Sequence, residues 1–368
     1  MAMNLMFKIK MLLEFWKVIS GDLRLLSSKE SRELESRLAE FCKVKYALAV
    51  ASGTDALVLA LKALAIGPGD EVIVPALSAF SSAGAVAWVN ALPVFVDIEL
   101  GGLNIDVGKI ERAITSKTKA IIAVHLNGQM ADMARIRQIA DNKSIKVIED
   151  AAQAIGAKYN GYAPAHYGDV ACFSFNPAKI FSGFADGGAV LTNDQALAEK
   201  ISLMRTYGAH PQKMHQEHFQ VGVASRISPF HAAILNLKFS ELEIAIAACR
   251  KNYFLYQELL SGIGDLEFLT FPSSDHFING HRFFLATGER EQLYKFLSEQ
   301  DRGRQVRKDF TVPLPYFDAL NFGRYKPSDF PIAEQTAARG IFLPTHPRIT
   351  GREVKEISNL IRQFFLAC

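Results

Sequence analysis

The chain has 368 residues, of which 49% are hydrophobic, 10% aromatic and 21% charged. This length and composition predict a sizeable buried core, in two domains or in one elaborated α/β unit. The chain carries 41 Lys and Arg against 38 Asp and Glu, a formal net charge of +3. That excess is too small and too evenly spread for an extended nucleic-acid surface, and it favours a small soluble ligand.

The four cysteines, Cys42, Cys172, Cys249 and Cys368, are far apart and form no Cys-x-x-Cys pair. This spacing argues against a zinc knuckle or a disulfide framework and fits a reducing compartment. Residues 1–19 are partly apolar, but charged residues interrupt them, so we interpret this segment as an amphipathic arm. No other stretch approaches the ~20 uncharged apolar residues that a spanning helix needs. We therefore expect a cytoplasmic protein.

Between residue 30 and about residue 191, short apolar runs alternate with helix-like stretches, which is typical of a parallel sheet covered by helices. Helices are predicted over residues 30–41 and from residues 52–54 to a stop at residues 67–70. Strands are predicted over residues 46–50, 71–74, 93–96, 120–124, 146–148, 170–174 and 188–191.

The C-terminal half begins with one predicted long helix, from residue 228 to about residue 260, with Leu235, Phe239, Leu242 and Ile246 on its buried face. A smaller α+β unit follows. It has a predicted strand over residues 282–287 and predicted helices over residues 289–300 and 353–365. We therefore expect an arm and a large domain over residues 1–246 and a small C-terminal domain over residues 247–368.

Three short motifs at predicted strand ends contain residues that suit a ligand site. The first is Ser52-Gly53-Thr54, which lies between a strand and a helix. Backbone N–H groups at a helix N-terminus can seat a phosphate, and glycine allows its close approach. A simple helix N-cap is the alternative interpretation.

The second motif is the Glu149-Asp150 pair, which follows a buried strand. In open α/β sheets, ligands bind beyond the carboxyl ends of the strands, so Asp150 is placed to pair with a cationic ring nitrogen. The alternative makes Asp150 a helix cap and Glu149 a surface charge.

The third motif is Lys179, in a Gly- and Pro-rich interruption over residues 176–186 that is either a functional loop or an ordinary hairpin connection. Neighbouring aromatic residues would strip water from the amine, lower its pKa and make it a nucleophile. The alternative is an exposed surface lysine. A phosphate seat, an acid and a lysine in this order are what pyridoxal 5'-phosphate (PLP) requires, and together they predict a PLP site.

Several stretches match a known family in order and spacing. They are residues 51–57, 69–75, 93–97, 125–129, 149–154, 173–175 with Lys179, and 343–347. On the basis of these stretches, the chain resembles the DegT/DnrJ/StrS family of sugar aminotransferases from about residue 21 to residue 365. The resemblance implies the three-layer fold type I of PLP-dependent transferases, an α/β fold. Its large domain has a mostly parallel central sheet, and its smaller C-terminal domain is α+β.

The resemblance also implies residue roles. Lys179 corresponds to the lysine that bonds to the cofactor, and Asp150 to the acid that pairs with its ring nitrogen. The remaining correspondences are the phosphate-binding turn at Gly53 and Thr54, a phosphate-reaching hydroxyl at Ser174, and a glutamine lining the ring at Gln153. Arg226 lies in a segment that reaches into the neighbouring subunit in this family, so a homodimer with shared active sites is implied. No metal is expected.

Three positions depart from the family pattern. Ala79 stands where an aromatic ring usually stacks on the cofactor, with Phe80 shifted by one residue. Ala224 replaces an asparagine that reaches the phosphate from the partner subunit, and Asn127 replaces a frequent aromatic. Each change is expected to weaken cofactor binding by ~1 kcal/mol.

By resemblance, the implied reaction is transamination from glutamate to a keto group on a nucleotide-linked sugar, in polysaccharide or antibiotic sugar biosynthesis. A cyclitol or an aminobenzoate-type substrate is an alternative. A catalytically silent PLP-binding or regulatory protein is another, because of Ala79 and Ala224. Lys179 argues against the dehydratase relatives, which carry histidine at that position.

Four histidines are weaker candidates. His125 suits either a cofactor contact or a structural role. His210, His215 and His218 lack a clear metal-binding pattern, and we interpret their segment as a substrate-side loop.

Overall fold

The computed structural model describes residues 5–20, 28–210, 217–269 and 276–367. The helices are α1 (Leu5–Ser20), α2 (Lys29–Cys42), α3 (Gly53–Ala63), α4 (Phe80–Trp88), α5 (Val107–Ala113), α6 (Met133–Lys143), α7 (Gln195–Met204), α8 (Pro229–Phe239), α9 (Leu242–Leu260), α10 (Arg290–Ser298), α11 (Asp318–Asn321), α12 (Pro331–Arg339) and α13 (Gly351–Ala367). The strands are β1 (Tyr46–Val50), β2 (Glu71–Pro75), β3 (Leu92–Val96), β4 (Thr118–Val124), β5 (Lys146–Asp150), β6 (Lys158–Tyr159), β7 (Val170–Ser174), β8 (Gly188–Thr192), β9 (Glu267–Phe268), β10 (His276–Phe277), β11 (Phe283–Ala286) and β12 (Gly340–Leu343).

The central sheet has seven strands in the order β1-β8-β7-β5-β4-β2-β3. Neighbours from β7 to β3 are parallel, while β8 is antiparallel to both of its neighbours. Strand β1 therefore runs in the same direction as β7, and the carboxyl ends of β1, β4, β5 and β7 meet at one edge of the sheet. The predicted mostly parallel sheet is confirmed.

Helices cover both faces of this sheet and make three layers. On one face, α3, α4 and α7 enclose a core that contains Leu57 and Ile201. On the other face, α2, α6 and α8 enclose a second core that contains Leu34 and Ile136. Because both faces are covered, the central strands contain runs of consecutive buried apolar residues rather than an alternating pattern, as at residues 120–124 of β4.

A smaller antiparallel sheet, in the order β12-β11-β9, follows in the C-terminal part. Phe284 of β11 joins the core on the first face of the large sheet, whereas Phe283 joins a separate core with α9 and α13. The domain division after residue 246 stays a prediction. That position lies inside α9, whose Ile246 packs with the large sheet and whose Tyr253 packs in the smaller core.

The prediction of one long helix over residues 228–260 is wrong, because the chain breaks at Ser240 and Glu241 between α8 and α9. The Ser240 hydroxyl donates to the backbone oxygen of Leu237 at 3.0 Å, and Glu241 has non-helical dihedrals of −107° and 2°. The two helices pack against different partners, since α8 contacts α1 and α2 while α9 contacts α13. Tertiary packing therefore overrides a continuous helical pattern at this point.

The predicted amphipathic arm forms α1 over the residues that the structure describes, and residues 1–4 lie outside them. Phe15 stacks on Phe230 of α8 with ring centroids 5.1 Å apart. Within the described ranges, every helix is too short or too polar to cross a bilayer.

Candidate active site

All six predicted site residues line one cavity of about 370 Å³ at the carboxyl edge of the large sheet. They are Gly53, Thr54, Asp150, Gln153, Ser174 and Lys179. Each lies at or just beyond the end of β1, β5 or β7, where a parallel α/β sheet positions its ligands.

The turn before α3 supplies open backbone donors at this cavity. Ser52 caps the helix, because its hydroxyl accepts from the N–H of Asp55 at 3.0 Å. Neither the N–H of Gly53 nor that of Thr54 donates to another described residue. A Cβ atom on Gly53 would lie 2.7 Å from the Cβ of Ser174, so only glycine fits beside that side chain. The capping and phosphate-seat interpretations thus both suit this turn.

Asp150 is 4% exposed and is held in place by two hydrogen bonds. The Ser82 hydroxyl donates to its Oδ2 at 2.7 Å, and the N–H of Ala152 donates to its Oδ1 at 3.2 Å. Ser82 is in turn 2.8 Å from the hydroxyl of Ser78. No helix begins within residues 151–157, so the helix-cap interpretation of Asp150 is wrong. Sequence reasoning missed Ser82, which reaches Asp150 from α4.

Glu149 and His125 are fully buried beside this site. The Nε2 atom of His125 lies 2.8 Å from the Glu149 carboxylate, and its Nδ1 accepts from the N–H of Ala131 at 3.3 Å. The other Glu149 oxygen accepts from the N–H groups of Ala165 and Gly168. The surface-charge interpretation of Glu149 is therefore wrong, and the histidine that lines the cavity is anchored at both nitrogens.

Lys179 lies in the connection between β7 and β8, with its N–H donating to the oxygen of Asn176 at 2.9 Å. These strands are antiparallel neighbours, so the connection is a hairpin that also carries a site residue. Burial lowers the pKa of the Lys179 amine to about 8, Asp150 opposes this shift, and Arg282 adds to it. The amine is thus a usable nucleophile near neutral pH.

A second cavity of about 350 Å³ adjoins the first, and Ser78, Ala79, Gln153 and Lys179 line both. Its other walls include Asn127, His281 and Arg282, which precede or follow strands far apart in the sequence. Burial, together with Lys179 and Arg282, holds the pKa of His281 well below its usual range, so this ring is neutral. Sequence reasoning noted Asn127 as a departure at the cofactor site, but it did not assign His281 or Arg282 to the site.

The aromatic ring missing at Ala79 is not replaced by its neighbour. Phe80 lines only the second cavity, where it packs edge-on against Phe317 with centroids 6.0 Å apart. Ala79 therefore leaves the first cavity without an aromatic ring at this position, and its small side chain is one of four that line both cavities.

The segment of Ala224 and Arg226 lies along the surface. Ala224 is exposed and bridges to Thr206, and the Arg226 guanidinium lies 5.6 Å from the centre of the Tyr207 ring. His210 and His218 are described, whereas His215 and the middle of the predicted substrate-side loop lie outside the described residues.

The pH dependence of cofactor capture should reveal the state of Lys179. Only the neutral amine attacks an aldehyde, so the rate of PLP binding to the apoprotein is expected to rise about tenfold per pH unit below pH 8 and to level off above it. Absorbance of the bound cofactor after rapid mixing measures this rate. A rate that keeps rising to pH 10, as for an ordinary lysine, would contradict the lowered pKa.

Because Gly53 packs so closely against Ser174, we expect PLP binding to require glycine at position 53 but not at position 67. Gly53→Ala should weaken PLP binding by about tenfold or more, because the added methyl displaces the turn whose N–H groups face the cavity. Gly67→Ala is the matched control, since its Cβ would meet nothing closer than 3.8 Å. Equal PLP affinities of the two variants, measured by fluorescence titration, would contradict this account of the turn.

The side chains present suit PLP. Two backbone N–H groups and the Ser174 hydroxyl can take a phosphate, the Asp150 carboxylate can pair with a protonated ring nitrogen, and the Lys179 amine can bond to an aldehyde. The absence of a side chain on Gly53 leaves space beside Ser174 for the phosphate.

Two relatives cover almost the whole chain. A protein described as a pleiotropic regulatory protein, from Geobacillus stearothermophilus, is 38% identical over 336 residues, which are 91% of this chain and 89% of that protein. The UDP-N-acetyl-3-dehydro-α-D-glucosamine 3-aminotransferase of Acidithiobacillus ferrooxidans is 36% identical over 345 residues, 94% of this chain and 91% of that enzyme.

The fold is similar to that of DesV from Streptomyces venezuelae, solved in complex with a ketimine intermediate. The TM-score is 0.92 at 32% identity, with 98% of this chain and 95% of DesV covered. The model of the DegT/DnrJ/EryC1/StrS aminotransferase family matches residues 12–362. By this match, which spans all three described sheets and every residue of the candidate site, the chain belongs to the DegT/DnrJ/EryC1/StrS aminotransferase family.

Proposed function

We propose that this protein is a PLP-dependent aminotransferase that moves an amino group from glutamate to a keto group of a nucleotide-linked sugar. The observation that carries the proposal is the meeting of Lys179, Asp150 and the Gly53 turn on one cavity, although they come from three separate strand ends. Family membership and the nucleotide-sugar aminotransferase of A. ferrooxidans support the same reaction.

When bound, PLP supplies an electron sink that stabilises negative charge on the carbon from which a proton is removed. The N–H groups of Gly53 and Thr54 and the Ser174 hydroxyl would hold its phosphate. Asp150, oriented by Ser82, would favour a protonated ring nitrogen. Gln153 would lie beside the ring.

Lys179 has two tasks in this proposal. Its amine would hold the cofactor, and as a free amine it would move a proton, as general base and then as general acid. A pKa of about 8 suits both tasks, because a sizeable fraction of the amine is neutral near neutral pH and the charged form remains available.

The second cavity is where we expect the sugar, because it opens onto Lys179 and carries polar groups on its far wall. Arg282 pairs with Asp309 there, which leaves that wall nearly balanced in charge. A sugar ring needs hydrogen-bonding groups more than net charge, so this wall suits it.

A homodimer completes the proposal. Val221 and Val223, beside Ala224, are 95% and 53% exposed, which favours coverage by a second copy of the chain. The buried free thiols of Cys42, Cys172 and Cys249 support a reducing, cytoplasmic location. Light scattering of the purified protein tests the dimer, and a monomer at micromolar concentration would contradict it.

A silent PLP-binding or regulatory role is the alternative that Ala79 and Ala224 suggest, because they remove two family contacts to the cofactor. The comparisons do not favour it, since the similar proteins include aminotransferases, although one relative is described as a pleiotropic regulatory protein. The intact Lys179 and Asp150 argue against it.

Transfer of ¹⁵N separates the two functions. The holoenzyme is incubated with ¹⁵N-glutamate and UDP-, dTDP- or GDP-linked keto-sugars, and the nucleotide sugars are analysed by mass spectrometry. An aminotransferase yields ¹⁵N-labelled amino sugar and 2-oxoglutarate. A protein that binds PLP but yields no label with any sugar, and no 2-oxoglutarate from glutamate alone, fits the regulatory function instead.

A further inference from the structure

Asn127 lies at the wall of the second cavity in an unusual backbone position. It follows β4 in the short 3₁₀ turn Leu126–Gly128, with φ of 59° and ψ of 20°. Asparagine tolerates this left-handed conformation better than most residues with a side chain. The residue is only 3% exposed, yet it lines the cavity together with Lys179.

The orientation of the Asn127 amide is fixed by its neighbours. Its Nδ2 donates to the backbone oxygen of Arg282 at 2.8 Å, and that oxygen can only accept. Its backbone N–H donates to the Gln153 Oε1 at 2.8 Å. These two hydrogen bonds leave the side-chain oxygen, Oδ1, which has no hydrogen-bond partner among the described residues.

An acceptor that is buried without a partner is costly, and native proteins rarely keep one unless a ligand or a water satisfies it. Asn127 borders the second cavity but not the first, which holds the phosphate seat and Asp150. The missing partner is thus expected on the sugar side of Lys179.

We propose that Asn127 is a specificity-determining residue for the sugar, whose Oδ1 accepts a hydrogen bond from a hydroxyl or amide N–H group on the sugar ring. This inference rests on the proposed function. Because the site is built to receive a donor, a sugar that lacks it leaves the oxygen unpaired and is disfavoured.

The test compares binding of a nucleotide-linked sugar with binding of the bare nucleoside diphosphate. Calorimetry on the holoenzyme gives Kd for UDP-N-acetylglucosamine and UDP, dTDP-glucose and dTDP, and GDP-mannose and GDP. In the wild type, at least one sugar is expected to bind more tightly than its diphosphate. Asn127→Gly keeps the backbone conformation and removes the acceptor, so this preference should fall about five- to tenfold.

Two further variants separate an acceptor from a structural role. Asn127→Asp keeps the acceptor oxygen but loses the donor to Arg282, so it should retain more of the preference than Asn127→Gly. Asn90→Gly makes the same change at an exposed position with φ of 60° and should leave the preference as in the wild type.

Three outcomes overturn the inference. An unchanged preference in Asn127→Gly removes the role of Asn127 while leaving the proposed function intact. An unchanged preference together with weaker PLP binding assigns Asn127 to the cofactor instead. A wild type that prefers none of the sugars over its diphosphate, and aminates none, overturns the proposed function and this inference with it.

Discussion

Replacing Lys179 by alanine is expected to abolish the visible absorbance of covalently held cofactor and to lower kcat by about 10³-fold or more. The amine is both the attachment point and the group that moves the proton, so both functions end together. Its position on the cavity and its pKa of about 8 support this dual use. Absorbance spectra and initial rates with glutamate measure the two effects.

Lys355→Ala is the matched control, since it removes an exposed lysine from α13 that lines neither cavity. It should keep both the spectrum and the rate. Lys179→Arg preserves the positive charge without a usable nucleophile, so it should behave like the alanine variant. A Lys179→Ala protein that keeps the cofactor spectrum would contradict the assignment.

Asp150→Asn is expected to lower kcat by about 10²- to 10³-fold while PLP remains bound. The substitution keeps the size of the side chain but removes the charge that favours a protonated ring nitrogen. Lys179 and the Gly53 turn still hold the cofactor. Steady-state rates and a PLP titration on the same preparation separate turnover from binding.

Ser82→Ala provides a graded comparison, because it removes the hydrogen bond to Asp150 and leaves the carboxylate charged. A fall of about tenfold or less is expected. If Ser82→Ala and Asp150→Asn lowered kcat equally, this would contradict the claim that the negative charge of Asp150 is what turnover requires.

The strands of the large sheet could be predicted closely because each is a short apolar run between turn residues. Strands β1 and β7 have the predicted bounds, residues 46–50 and 170–174. The site residues at the ends of these strands could be predicted for the same reason. A parallel sheet brings its carboxyl ends to one edge, so Gly53, Asp150 and Lys179 could be expected to meet.

What could not be predicted depends on contacts between distant segments. The break between α8 and α9 carries no proline or glycine, and it follows from packing against different helices. Asn127 and Arg282, 155 positions apart, meet only because the segment just before β11 lies against the turn that follows β4. The pairing of Glu149 with His125 likewise needs two adjacent strands, β5 and β4, which sequence does not specify residue by residue.

Borohydride reduction of the holoenzyme, followed by proteolysis and peptide mass spectrometry, tests the central claim most directly. Reduction makes the bond between the cofactor and its lysine permanent. The account predicts one pyridoxyl-modified peptide, with the modification on Lys179. A modification on another lysine, or no modification in a protein shown to contain PLP, would contradict it.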